Sequence, residues 1–417
     1  MISVQNRPPR LSGNKRFIFL GIALLAAACS PKLRPVAAPV KTETEKPVVK
    51  TEPVKAKPTP VRQSTIAMLL PFDLDRLNPG ASYTETGLRQ ANIALDYYQG
   101  FKLALDSLTG LGYNFKLQVY DSKGVPSQSH ALAYNPQIRT SDLIVGPIFP
   151  DDMKAFTEVM VNGVHKPILS PLSPAAPATF ANDNLITATP PLEYHARAAA
   201  KYIQGRLKPQ KIFVLRSGYS EDNEYINPFK NTLDSLSKGR TQLVQTTVSR
   251  GRLDVLLPQF SLTTPNIVII PSTNQAFLTV TMRSLDSLTK KYPIILFGHP
   301  NWPKFSFLRS DVLQRLKTHI TAADQVDYKA AATIDFLRSY RKAYHTDASE
   351  YAIKGFDEGL YFGKLLGANN GEMKGITGND FNGMHNGFHF IKKPGVGYIN
   401  THVNIMDYRN YELKKVE

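Results

Sequence analysis

Apolar and polar positions fall into three successive regimes along the chain. From Phe17 to Ala28 the apolar run is nearly unbroken. From Ser30 to about Arg62 there is neither a helical nor an alternating period, only Pro, Lys, Val, Thr, Glu and their like. From Ser64 onward, short continuous apolar runs alternate with stretches of helical spacing. Thr65–Leu70, Phe115–Tyr120, Asp142–Pro147 and Lys166–Ser170 are predicted strands, the apolar ones reading as buried on both faces. Between the first two, Ile93, Tyr97, Phe101, Ala104, Leu105 and Leu108 share one face of a helix predicted from about Asn92 to Leu108. A second series runs through helix Tyr194–Leu207, strand Lys211–Leu215, helix Asn227–Leu236, strand Asn266–Ile270 and strand Tyr292–Phe297. Strands alternating with helices predict βαβ units and parallel sheets, hence an α/β fold. Roughly 350 residues exceed what one core of this kind holds, so two domains are expected.

The first regime reads as a leader. Arg7, Arg10, Lys15 and Arg16 precede the apolar run, which falls short of the ~20 residues a permanent membrane helix needs. Basic residues, an apolar stretch and small residues in that order are the pattern of a secretory signal. It ends Leu25-Ala26-Ala27-Ala28-Cys29, and Cys29 is the only cysteine of the chain. The segment resembles a lipoprotein box, which implies cleavage before Cys29, acylation of its thiol and attachment to a membrane; an ordinary signal with a chance cysteine is the alternative. A single cysteine allows no internal disulfide.

Residues 29–62 read as a tether from that anchor. Without aromatic residues or apolar periodicity the segment has nothing to bury, and Pro-rich chains favour extended polyproline II at ~3.1 Å per residue. It serves either as an inert spacer or as a basic tract threaded near peptidoglycan. Part of the net charge of +16 resides here. Four basic residues precede the apolar run, and the tether carries eight Lys or Arg against three Glu, which leaves about +7 on the remainder. No Lys/Arg stripe is interleaved with aromatics, so nucleic acid is not an expected partner.

Catalytic signatures are missing: no Gly-x-Ser-x-Gly elbow, no His-Glu-x-x-His helix and no phosphate-cradling loop. No catalytic residue, cofactor or metal is therefore expected, and the chain reads as non-enzymatic. His385 and His389 have a ligand-like spacing but no third partner. Tyr97 is expected in the core, whereas Trp302, between Pro300 and Pro303 on a loop after a strand, is expected to offer an aromatic face to a ligand.

The order of several motifs carries a resemblance. Ile66–Phe72, Tyr98–Leu105, Asp142–Pro147, Pro167–Pro171 and Ala199–Ile203 followed by Lys208–Ile212 together resemble the Leu/Ile/Val-binding branch of the type I periplasmic binding proteins. The Leu-Leu-Pro-Phe, Gly-Phe-Lys-Leu-Ala-Leu-Asp-Ser-Leu and Val-Tyr-Asp segments also resemble envelope lipoproteins of Bacteroidetes type. A similar fold occurs in lipoproteins that activate peptidoglycan synthases. The resemblance implies two lobes, each a parallel sheet flanked by helices, joined by three hinge crossovers. The lobes are expected as 63–187 with about 300–384, and 188–299 with about 385–417.

Ligands of such folds sit at the carboxyl ends of parallel strands. That rule nominates Phe72, Asp73, Phe149, Ser170 and Ser173 in the first lobe. In the second it nominates Arg216, Ser217, Tyr219, Ser272, Asn274, His299 and Trp302. The departures from the resembled family weigh against an α-amino acid. Pro150 and Pro174 remove N–H donors where a carboxylate is held, Asp151 and Asp152 would repel it, and His299 stands where an ammonium-binding Glu is expected. In their place, Asp151 and Asp152 are expected to stabilise the helix start, at ~0.3–1 kcal/mol each. Two functions follow. One is a lipid-anchored solute-binding protein that closes over a small molecule and presents it to an ABC permease. The other is an outer-membrane lipoprotein docking a cell-envelope partner such as a peptidoglycan synthase. Ser30–Arg34 lacks an acidic cluster of the kind associated with surface export, so the expected location is the periplasm, anchored to the outer membrane.

Overall fold

A computed structural model describes residues 62–416 apart from Pro79 and Asn386. The leader, Cys29 and the tether up to Val61 lie outside the described residues.

Five strands build the core of the first sheet: β1 (Ser64–Leu70), β2 (Phe115–Asp121), β3 (Leu143–Val145), β4 (Ile168–Ser170) and β5 (Leu185–Thr187). Five more follow in the second: β6 (Lys211–Arg216), β7 (Gln242–Thr247), β8 (Asn266–Ile270), β9 (Ile294–Gly298) and β10 (His319–Ala322). Both sets are parallel, in the orders β2-β1-β3-β4-β5 and β7-β6-β8-β9-β10. The same doubly wound arrangement therefore occurs twice. The chain then forms a two-residue hairpin, β11 (Phe381–Asn382) and β12 (Gly387–Phe388). β13 (Phe390–Lys393) and β14 (Gly397–Asn400) extend the first sheet, with β14 beside β5; β15 (Asn404–Arg409) and β16 (Glu412–Lys415) extend the second beside β10. Each seven-stranded sheet is thus mixed rather than wholly parallel, because β13–β14 and β10–β15–β16 pair antiparallel.

The helices are α1 (Glu85–Gly110), α2 (Pro126–Leu132), α3 (Pro136–Thr140), α4 (Pro150–Met160), α5 (Leu192–Tyr202), α6 (Asp222–Ser237), α7 (Gln275–Leu288), α8 (Ser310–Arg315), α9 (Ala331–Tyr344) and α10 (Glu350–Ala368). α1 begins seven residues before the periodicity predicts, where the Thr84 side chain caps it by accepting the Gly87 amide at 3.0 Å. Its apolar face buries Tyr97, Phe101, Leu105 and Leu108 in the first core. α10 lies so close along α1 that a Cβ on Gly100 would overlap the Ala352 carbonyl oxygen, and one on Gly355 would overlap that of Tyr97. Only glycine permits that approach.

Three segments pass between the lobes: 188–191 after β5, 323–330 after β10 and 401–403 after β14. The lobe boundaries differ from the expected ones at two places. Residues 300–322 belong to the second lobe, since Trp302, Leu313, Leu316 and Ile320 pack in one core with Phe213, Leu215 and Leu296. Residues 387–400 belong to the first, where Phe388 and Phe390 pack on Tyr361 and Phe362 of α10. The crossovers themselves are tied together by Asn400, which is 1% exposed. Its Nδ2 donates to the Ala188 and Gly387 carbonyls, and its Oδ1 accepts the His389 and His402 amides.

Candidate functional site

A cavity of about 1100 Å³ opens between the lobes, just above the ~300–1,000 Å³ that small-molecule sites span. The second lobe lines it with the ends of four strands: Ser217 and Tyr219 after β6, Pro271–Asn274 after β8, His299–Asn301 and Lys304 after β9, and Thr321–Asp324 at β10. The first lobe contributes Leu172 and Pro174 after β4, Thr189 after β5, the start of α10 with Glu350, Tyr351 and Lys354, and His385.

Of the residues nominated from sequence, Ser217, Tyr219, Ser272, Asn274 and His299 line this cavity. Several of them have structural work there. Ser217 donates its hydroxyl to Asp222, which also accepts the Ser217 amide. Asn274 caps α7 by accepting the Phe277 amide, and Ser272 Oγ accepts the Asn274 amide. Tyr219 is 57% exposed and projects from the wall.

The other seven do not line it. Trp302 is 1% exposed in the second core, its indole N–H donating to the Ser272 carbonyl at 3.0 Å, so it supports the cleft loop from below. Arg216 is drawn aside to Asn223 Oδ1. Phe72 meets Tyr98 edge-on and Phe149 packs on the first core. Ser170 is buried within β4, and Ser173 Oγ accepts the Ala175 amide. Asp73 pairs with Arg76.

The first lobe's strand ends are closed by an internal acid. The Asp121 carboxylate accepts the amides of Asp73, Leu74 and Lys123 at 2.8–3.0 Å. These N–H groups would otherwise be available to an anion. At the start of α4, the expected stabilising pair of acids divides. Asp151 is exposed, whereas Asp152 is 2% exposed. Burial, with Asp151 beside it, raises the Asp152 carboxyl to about 6.

Charged groups meet on the cleft floor at the crossovers. Lys354 donates to Thr189 Oγ1 at 2.7 Å, tying α10 to the first crossover. Asp324, on the second crossover, is half-exposed and lies 3.9 Å from His385 Nε2. Burial pushes its carboxyl up, but Lys354, His385, Lys304 and His195 outweigh that, and it stays below the usual carboxylate range. His195 contacts Thr321 Oγ1 through Nδ1 at 2.9 Å, and burial lowers its pKa to about 4. His385 and His389 do not converge, since His389 pairs with Asp380. Among the described residues no cluster of three or more His, Cys, Asp or Glu is arranged to hold a metal ion.

Sequence reasoning missed His195, Thr189, Asp324 and Lys354. One signal was present: Lys354, Asp357 and Glu358 sit at helical spacing on the same side of α10 as Gly355 and Gly359, and all three are buried. Ionic side chains on the packed face of an apolar helix mark a site or a buried network.

No protein-family model matches the chain, and no curated protein matches it. Solved structures do. A putative branched-chain amino acid ABC transporter protein from Rhodospirillum rubrum superposes with a TM-score of 0.61 at 12% identity, covering 85% of this chain and 100% of that one. An ABC transporter substrate-binding protein from Desulfitobacterium hafniense, in complex with Leu, gives 0.52 at 15% over 85% and 100%. Full-length LpoA from Haemophilus influenzae gives 0.55 at 12%, over 86% of this chain and 60% of LpoA. Two doubly wound lobes, three crossovers and these superpositions together give the chain the fold of the type I periplasmic binding proteins.

Proposed function

We propose that the protein is a lipid-anchored periplasmic solute-binding protein that closes its two lobes over a small molecule. The observation that carries this reading is the cavity itself, set at the carboxyl ends of four parallel strands and floored by the crossovers on which the lobes would turn. The reading is one of binding rather than catalysis. Cys29 supplies the lipid anchor, the tether supplies reach, and an ABC permease would receive the ligand.

Isothermal titration of the purified protein against a panel of small solutes tests it. Saturable binding to the wild type, abolished when Asn301→Trp fills the cleft from an exposed position, is the expected result. Binding that ignores the substitution would refute it. Loss of palmitate labelling in Cys29→Ser tests the anchor.

A second reading, docking of a cell-envelope partner such as a peptidoglycan synthase, is favoured by Leu74 and Leu77. They stand 52% and 69% exposed on a single 3-10 turn after β1. Crosslinking from Leu77 in intact envelopes tests that reading.

A further inference from the structure

His299 presents the cleft with a donor that has no taker. Its Nδ1 accepts the Asn301 amide at 3.1 Å, so the proton of the neutral ring lies on Nε2. Burial first, and His195 second, lower the ring's pKa to about 4, and it remains uncharged at neutral pH. The residue is 7% exposed and lines the cavity, and no protein acceptor meets Nε2 among the described residues.

The acidic groups of the lining are either hydrogen-bonded within the second lobe or open to solvent. Asp222 is held by the Ser217 amide and hydroxyl. Asp324 is half-exposed, lies 3.9 Å from His385 Nε2 and is held below the usual carboxylate range, with Lys354 the largest lowering influence; Lys354 itself donates to Thr189. Glu221, Glu224 and Glu350 are solvated. In the first lobe, Asp121 consumes the amides that an anion would use, and Pro150 offers none.

We infer, on the solute-binding reading above, that His299 is a specificity-determining donor and that the cleft takes an uncharged ligand bearing a hydroxyl or carbonyl oxygen. An ammonium placed against Nε2–H meets a like-signed dipole, and the glutamates of the lining are exposed to solvent, which screens their pull on it. A ligand carboxylate finds no cluster of free amides. An uncharged oxygen satisfies the N–H without the larger desolvation cost of a charge.

The test titrates three uncharged probes (ribose, N-acetylglucosamine and acetamide) and three charged ones (leucine, putrescine and succinate) into the full-length protein by calorimetry. At least one uncharged probe is expected to saturate the cleft. His299→Leu should weaken it about tenfold or more, while His299→Gln, which keeps both an acceptor for Asn301 and an N–H, should bind closer to the wild type. Melting curves confirm that both variants fold. Saturation by a charged probe alone overturns the inference and leaves the solute-binding reading standing. Uncharged binding indifferent to His299→Leu removes the role of His299. Silence from all six in folded protein overturns the inference and the reading together.

Discussion

In the second lobe the ends of β6, β8, β9 and β10 all open on the cavity, whereas in the first lobe only β4 and β5 do. The two sheets share one strand order, so topology alone assigns them equal parts. The difference lies in what fills each set of loops. After β1 the backbone amides turn onto Asp121 and the loop is held by Tyr83, whose hydroxyl donates to the Phe72 and Asp73 carbonyls. After β9 the chain instead drives Trp302 into the core beneath it, leaving His299 and Asn301 on the wall. A strand end becomes a recognition surface when its own side chains leave polar groups unspent.

Five substitutions break or sharpen this contrast, and the largest removes the support of the second lobe. Trp302→Ala should cost ~3–5 kcal/mol of stability, measured by urea unfolding, and should also loosen the Ser272 loop that its indole holds.

The lobes should next part company with pH. His195 and His299 have pKa values lowered to about 4 by burial. The unfolded chain takes up their protons first, so their contribution is complete above about 6.5 and lost as pH falls towards 4. Each ring accounts for ~3.5 kcal/mol at most, and His195→Asn should flatten this acid limb. In the first lobe, Glu358 accepts the Tyr97 hydroxyl at 2.7 Å and is raised to about 8, chiefly by burial and against the pull of Lys354. Here the folded state holds the proton. Its contribution is complete below about 4.5 and lost as pH rises through 8, and Glu358→Gln should flatten that alkaline limb.

Asp121→Ala should cost ~2 kcal/mol by orphaning three amides. It should also give the first lobe what it lacks, read as stabilisation by sulfate in the variant but not in the wild type. The smallest effect belongs to the back of the hinge. Lys393 of β13 pairs with Glu193 of α5 at 3.2 Å and lies over the Tyr194 ring, joining the lobes with both partners partly exposed. Lys393→Ala should change stability by less than ~1 kcal/mol, yet shift the open–closed balance seen by small-angle scattering.

Much of the frame was legible along the chain. Ile66–Leu70, Ile212–Leu215 and Ile267–Ile270 are continuous apolar runs and form central strands, buried on both faces. The strand-end rule brought Ser217, Ser272 and His299 to the cavity. It failed for Phe72 and Phe149, because apolar side chains at a strand end fall onto whatever core lies nearest. It failed for Trp302 for the same reason: a cavity-facing ring and a core ring look alike in sequence.

The crossovers were the least legible part. The division of residues 300–322 and 387–400 between lobes depends on which core each apolar group reaches, and those groups lie far apart in sequence. Local periodicity determined that this chain builds strands and helices of a repeated α/β kind, since burial on one face or two is written into spacing. Only the tertiary structure decided that Lys354, Thr189, Asp324 and His195, drawn from α10, two crossovers and α5, meet on one floor. Their chemistry comes from mutual proximity and shared burial, and neither is a property of any one segment.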